Sequence, residues 1–292
     1  MIDGRRAHLD ARRVSTQEGP SVVSTGAARH IDRFTSDATE RSRAFGNQCS
    51  WPPPPGPADL PIDEVHVWVA SLDLAKEHAE RLELTLAEDE RRRAERFKFE
   101  KGRCQYIVAR ARLRAILARY LHVEPGRVQF SYTSYGKPLL ADEFQNHGLR
   151  FNVSHANGMA LYAVTRGREI GVDLEYTGRR IDADRIAERF FSDREVSKLS
   201  SLPTHARELA FYTCWTRKEA YIKAKGTGLT LPLKSFDVSL CPREPAALLR
   251  TEGDPREASR WSLNELRPSS GYVAALAVEG RDWRLKCWSW PD

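Results

Sequence analysis

Cysteine is too sparse and too scattered in this sequence to build a fold. Cys49, Cys104, Cys214, Cys241 and Cys287 are odd in number and form no C-x-x-C pair, so neither a zinc framework nor a disulfide scaffold is indicated. A reducing cytosol is the default compartment for such a chain. No apolar run reaches the roughly 18 residues of a membrane span. Arg5 and Arg6 have no apolar stretch behind them, which excludes a secretory signal. The opening segment also lacks lysine, as transit peptides often do, but Asp3, Asp10, Glu18 and Asp32 argue against that role. The patterns Gly-x-Gly-x-x-Gly and Gly-Lys-Ser/Thr are both missing, so there is no Rossmann or Walker phosphate loop. Zinc-finger and RNA-recognition signatures are absent, and aromatics are thinly interleaved with the basic residues, so nucleic-acid binding is not indicated.

What is present is a 292-residue chain of formal charge +6 and pI near 9.1. That length holds one large domain or two small ones. The positive balance suits a polyanionic small molecule, an acidic protein or a nucleic acid without choosing among them. Residues 1–60 are rich in Ser, Thr, Gly, Ala and Arg and end in Trp51-Pro-Pro-Pro-Pro-Gly-Pro57. They read as a disordered arm with a stiff, extended spacer. The folded part is expected from Pro61. Strands are predicted at 65–70, 128–132, 149–153, 158–165, 168–175, 235–240, 261–266, 271–278 and 283–288. Helices are predicted at 87–98, with Thr85 and Glu88 as a capping box, and at 103–121, 182–190, 193–200 and 205–225. Gly158-Met-Ala-Leu-Tyr-Ala-Val164 has an echo in Gly271-Tyr-Val-Ala-Ala-Leu-Ala-Val278. The expected class is therefore α+β, with two similar subdomains at 61–165 and 166–292 and a ligand cleft between them.

Two stretches carry the chemistry. In Gly171-Val-Asp-Leu-Glu175, Asp173 and Glu175 share one strand face, while Ile170, Val172 and Leu174 fill the other. In Trp215-Thr-Arg-Lys-Glu-Ala-Tyr-Ile-Lys223, Trp215, Glu219 and Lys223 share one helix side. Three acids that converge need a cation, and carboxylate oxygens suit magnesium. On the residues alone, the strand pair is equally a solvated face. Glu219–Lys223 is equally an ordinary i,i+4 pair worth a few tenths of a kcal/mol. Ser154 and His155 close a strand with donors suited to phosphate. Tyr135-Gly136-Lys137-Pro138 reads as a routine turn, in which Lys137 matters if the turn faces the cleft. Arg91, Arg92, Arg93, Arg96, Arg110, Arg112, Arg114 and Arg119 read as solvated basic faces.

Taken in order, Tyr-Gly-Lys-Pro, Phe-Asn-Val-Ser-His, Gly-Val-Asp-Leu-Glu and Trp-Thr-Arg-Lys-Glu-Ala-Tyr-Ile-Lys resemble the 4′-phosphopantetheinyl transferase superfamily. The two-lobed length, Phe190-Phe-Ser192 and Gly226-Thr-Gly-Leu-Thr-Leu-Pro-Leu233 resemble its Sfp-type branch. The likeness spans about 62–280. It implies a pseudo-twofold fold in a cytoplasmic, monomeric enzyme that binds neither nucleic acid nor membrane. That enzyme would move 4′-phosphopantetheine from coenzyme A to a serine of an acyl-, peptidyl- or aryl-carrier protein, in fatty-acid, polyketide or nonribosomal-peptide synthesis. Asp173, Glu175 and Glu219 then match Mg2+ ligands. Arg93, Gly136, Lys137, Pro138, Ser154, His155, Lys218 and Lys223 match the coenzyme A site. Glu219, His155 and Lys223 match the catalytic groups, and the resemblance leaves open whether Glu219 is metal ligand, base or both. The alternative is a catalytically silent carrier-binding module of the same fold.

Overall fold

The protein is seen in a computed structural model that describes residues 50–54, 56, 59–241 and 244–291. The expectation of disorder for residues 1–49 falls outside them. In chain order the elements are β1 (Glu64–Ser71), α1 (Lys76–Glu83), α2 (Glu88–Ala94), α3 (Glu100–Leu121), β2 (Phe130–Tyr132), β3 (Pro138–Leu140), β4 (Leu149–Ala156), β5 (Met159–Arg166) and β6 (Ile170–Tyr176). There follow α4 (Ala183–Phe190), α5 (Asp193–Ser200), α6 (Thr204–Lys225), β7 (Phe236–Val238), β8 (Leu248–Thr251), β9 (Trp261–Leu266), β10 (Tyr272–Glu279) and β11 (Arg284–Ser289). The mixed α+β class is the expected one.

The two halves repeat a plan. Sheet one has the order β11-β1-β5-β4 and sheet two the order β6-β10-β9. The echoed segments are β5 and β10. Each is an eight-residue strand flanked on both sides, and each follows a glycine of positive φ (Gly158, +82°; Gly271, +78°). Such a turn is open to glycine at no steric cost. Each half also owns a 22-residue helix, α3 and α6.

Alternation along β1 divides the core. Trp68 and Ala70 pack with Tyr162 and Phe151 under Val108, Leu113, Ile116 and Leu117 of α3. Val65 and Val67 point the other way, to Leu161 and Ala163, and meet Ile170, Val172, Leu174, Leu276 and Val278 of sheet two. Period-two patterning thus lets one sheet serve two cores. Gly171 brings α6 onto the remaining face of sheet two, against Ala220 and Ala224.

Five expectations change. Trp51, Pro52 and Leu60 are not part of a free arm. Trp51 donates its indole N–H to the Arg267 carbonyl (3.1 Å), the Pro52 carbonyl accepts from the Ser289 N–H (2.8 Å), and Leu60 is buried. The last strand, β11, leaves the C-terminal half and pairs in parallel with β1, so residues 284–289 belong to sheet one. Thr85 does not cap α2. Its hydroxyl donates to the Leu82 carbonyl, and the Glu90 carboxylate accepts from the Ala87 N–H instead. The arginines of α3 are not a solvated face, since Arg112 and Arg114 are buried. Arg114 pairs with buried Glu90 (2.6 Å) and donates to the Val128 carbonyl (2.6 Å). Cys104, Cys214 and Cys241 are free thiols, whereas Cys287 is disulfide-bonded, a link the cysteine spacing does not foretell. Among the described residues, no helix is long and apolar enough to cross a membrane.

Candidate active site

The site lies where two sheet edges meet. β4 ends sheet one and β6 begins sheet two, and no backbone ladder joins them. An unpaired edge leaves N–H and C=O groups that need partners once buried. Side chains supply them. Val172 N–H donates to Asn152 Oδ1 (2.9 Å) and Leu174 N–H to Ser154 Oγ (3.2 Å), both acceptors on β4. The Val172 carbonyl accepts from the Lys223 ammonium of α6 (3.2 Å).

Asp173 sits within this seam and is buried. Its Oδ1 accepts from Lys223 Nζ (2.6 Å) and from the Ser154 hydroxyl (3.0 Å). Lys223 also donates to Ser154 Oγ (3.0 Å). The other oxygen, Asp173 Oδ2, is buried with no hydrogen-bond partner. A carboxylate oxygen in that state is costly, and a cation supplies what it lacks.

The hairpin turn does face this seam. β2 and β3 pair antiparallel, and Gly136 (φ +79°) makes the bend between them. Lys137 Nζ donates to the carbonyl of Lys223 (2.9 Å), the last turn of α6, and lies 3.8 Å from Glu169. A cation at a helix C-terminus is favoured by the exposed carbonyls there. Burial pushes the Lys137 ammonium below the usual lysine range, with Glu169 opposing. Tyr135 stands against Gly228, just past the glycine cap Gly226 of α6.

Glu175 is half-buried, two residues beyond Asp173. Burial pushes the Tyr212 hydroxyl up to about 12, and the nearby Glu175 carboxylate adds to the shift. Gly171 lies against Ala220 and Ala224 and Glu175 near Tyr212, so α6 runs antiparallel to β6 and Glu219 falls within the span between. Glu219 is half-buried, and His155 is exposed at the end of β4. Among the described residues, no group of three or more acidic, histidine or cysteine side chains is placed to hold a metal ion, so Asp173, Glu175 and Glu219 are not drawn together as a ligand set.

Lys218 does not join this group. It is fully buried. Its three N–H bonds go to Glu195 (2.8 Å), the Leu233 carbonyl (2.8 Å) and the Phe236 carbonyl (2.6 Å). An ammonium has three donors, so none is left for a phosphate. Glu195 is the capping-box acid of α5, holding the N–H of Ser192. Lys218 therefore fastens the helix layer of the C-terminal half. Arg93 is exposed on α2, its guanidinium 5.7 Å over the Tyr106 ring.

Two family models match the chain: "4′-phosphopantetheinyl transferase superfamily" over residues 169–277 and "4′-phosphopantetheinyl transferase, N-terminal" over 75–166. The 4′-phosphopantetheinyl transferase HetI of Nostoc sp. PCC 7120 is 44% identical across 82% of this chain and 98% of its own length. The chain belongs to the 4′-phosphopantetheinyl transferase superfamily. It also resembles the transferase Sfp of Bacillus subtilis (32% identity; 57% of this chain, 72% of Sfp). The human L-aminoadipate-semialdehyde dehydrogenase-phosphopantetheinyl transferase is 26% identical over 66% of this chain and 67% of its own.

The transferase has donors suited to magnesium. The ion takes hard oxygens, keeps several waters and uses one or two carboxylates with substrate phosphates rather than a closed protein cage. Buried, unpartnered Asp173 Oδ2 fits that need. The reading from sequence missed Asn152, although its place two residues before Ser154 puts both on one strand face. Ser154 is expected to donate to phosphate, and in the structure its hydroxyl is directed at Asp173.

Proposed function

We propose that this transferase moves 4′-phosphopantetheine from coenzyme A to a carrier-protein serine with the help of magnesium. The serine oxygen forms a bond to the β-phosphorus of the pyrophosphate, and the phosphoanhydride bond breaks. Adenosine 3′,5′-bisphosphate leaves. The observation that supports this most is the seam, where Asp173 offers a buried, unpartnered oxygen next to Lys223.

Asp173, Glu175 and Glu219 would hold Mg2+, which when bound draws charge off the pyrophosphate. Lys223 of α6 and Lys137, which reaches the Lys223 carbonyl from the β2–β3 turn, offset the remaining negative charge. His155, exposed beside buried Ser154, offers an N–H to phosphate. Gly136 and Pro138 shape the turn that presents Lys137, and Arg93 supplies a cation nearer the nucleotide end. Glu219 takes the serine proton. Basic surface suits an acidic carrier, whether acyl, peptidyl or aryl. We place the enzyme in the cytoplasm, acting as a monomer.

The test is incubation with coenzyme A, Mg2+ and an apo carrier domain. A gain of about 340 Da on the carrier, the mass of the transferred group, is expected. No gain with any carrier type overturns the enzyme reading and leaves a binding module. Glu219→Gln is expected to lower turnover by about 10²-fold or more with its melting temperature unchanged. A wild-type rate in that variant contradicts the role of Glu219.

A further inference from the structure

On the outer edge of β6 around Asp173, the Val172 N–H, the Val172 carbonyl and the Leu174 N–H are each met by a side chain rather than a strand. The rung that touches neither Asp173 nor Lys223 is Asn152. It is buried, and its carbonyl oxygen takes the Val172 N–H at 2.9 Å. Its neighbour Ser154 does the same for Leu174 N–H at 3.2 Å and also contacts Asp173. Asn152 and Ser154 thus act as a false strand. They hold β6 at a fixed register to β4, with Asp173 between the two rungs.

A one-residue slip in strand pairing turns every side chain to the opposite face. At this seam no backbone ladder fixes the register. The two side-chain rungs fix it instead. Losing the Asn152 rung strands a buried N–H beside the acid and lets this edge of β6, still paired with β10 on its other side, draw away from β4, which moves Asp173 off Lys223 and away from Glu219.

We infer that Asn152 is a positioning residue: by holding the Val172 amide it aims Asp173 into the cation site. This rests on the reading of Asp173 as a metal ligand. The residue touches no substrate and acts through β6 alone.

The test uses an isosteric pair in the full chain. Asn152→Thr keeps a hydroxyl acceptor, as Ser154 does one rung away, and Asn152→Val removes it. Binding of Mn2+, as a probe for the divalent ion, is titrated by electron paramagnetic resonance on the free protein. Hydrogen exchange is followed at the peptide containing Val172. The valine variant is expected to bind Mn2+ about tenfold more weakly and to exchange faster at Val172. The threonine variant is expected to stay within about threefold of the parent on both measures. Mn2+ binding equal to the parent in the valine variant, or equal loss in both variants, overturns the proposal. Should the valine variant not fold, the threonine variant decides alone, and a tenfold loss there overturns it. Asp173→Asn is the control. If it binds Mn2+ as tightly as the parent, the metal reading of Asp173 fails, whatever Asn152 does.

Discussion

Replacing Gly171 with alanine tests how the site is assembled. The glycine has no unusual backbone angle to protect, so alanine adopts its conformation freely. What alanine cannot do is fit. Its Cβ would stand 3.0 Å from Ala224 Cα and closer still to the Ala220 carbonyl oxygen and the Ala224 N–H. All three are backbone atoms of α6, and none can rotate away. The helix must retreat by about 1 Å, and forcing one methyl into a packed core costs about 3 kcal/mol. For a domain of this size that is a fall of about 6–12 °C in melting temperature. The retreat also carries Lys223 away from Asp173, now 2.6 Å apart. A misplacement of about 1 Å costs about 10²-fold in rate. Scanning calorimetry reads the first effect, and carrier modification followed by mass spectrometry reads the second. An alanine variant that melts within 1 °C of the parent and modifies carrier at full rate refutes the assembly described here.

Lys218→Met should unfold the protein more readily, by about 3–5 kcal/mol in urea titration, because it strands buried Glu195. The binding constant for coenzyme A, measured on the folded fraction, should not change. Weakened coenzyme A binding at unchanged stability would return Lys218 to the phosphate site. Glu257 accepts from Lys225 (2.7 Å), Trp261 (2.9 Å) and Tyr221 (3.1 Å). Burial alone would raise its carboxyl, but these bonds outweigh burial and hold it below the usual carboxylate range. Its contribution to stability is therefore full above the ordinary glutamate range and lost as pH falls through the lowered value. Glu257→Gln should flatten the acid limb of a melting-temperature profile below about pH 4.5 and leave neutral pH rates near the parent's. An unchanged acid limb counts against that account.

The long elements are legible in the sequence because their patterns are strong. α3 and α6 carry apolar residues at helical spacing, and β5 and β10 are nearly continuous apolar runs bounded by glycines. β3 is three residues, too short to show alternation, and α1 buries only Ala79, so both escaped. The Asp173–Lys223 contact follows from strand and helix periodicity, once Gly171 marks where they touch. Lys218 is expected at the phosphates, yet the sequence carries the contrary signal. It precedes Glu219 by one residue, about 100° around the helix, and so faces other neighbours than Glu219 and Lys223 do. The buried arginines of α3 were not legible, because an Arg–Glu pair in the interior depends on Glu90 arriving from another helix.

The parallel pairing of β11 with β1 joins residues more than 200 positions apart, and Glu64 binds Lys286 at 2.8 Å across it. While a nascent chain emerges from the ribosome, β1 is among the first strands out and waits with one flank open until β11 is made. The amino-terminal half is therefore expected to dock helices and pair β1 with β5 early, yet to stay sticky along that flank until translation has passed residue 289. Ribosome stalling short of that point would leave a species that chaperones hold and proteases find.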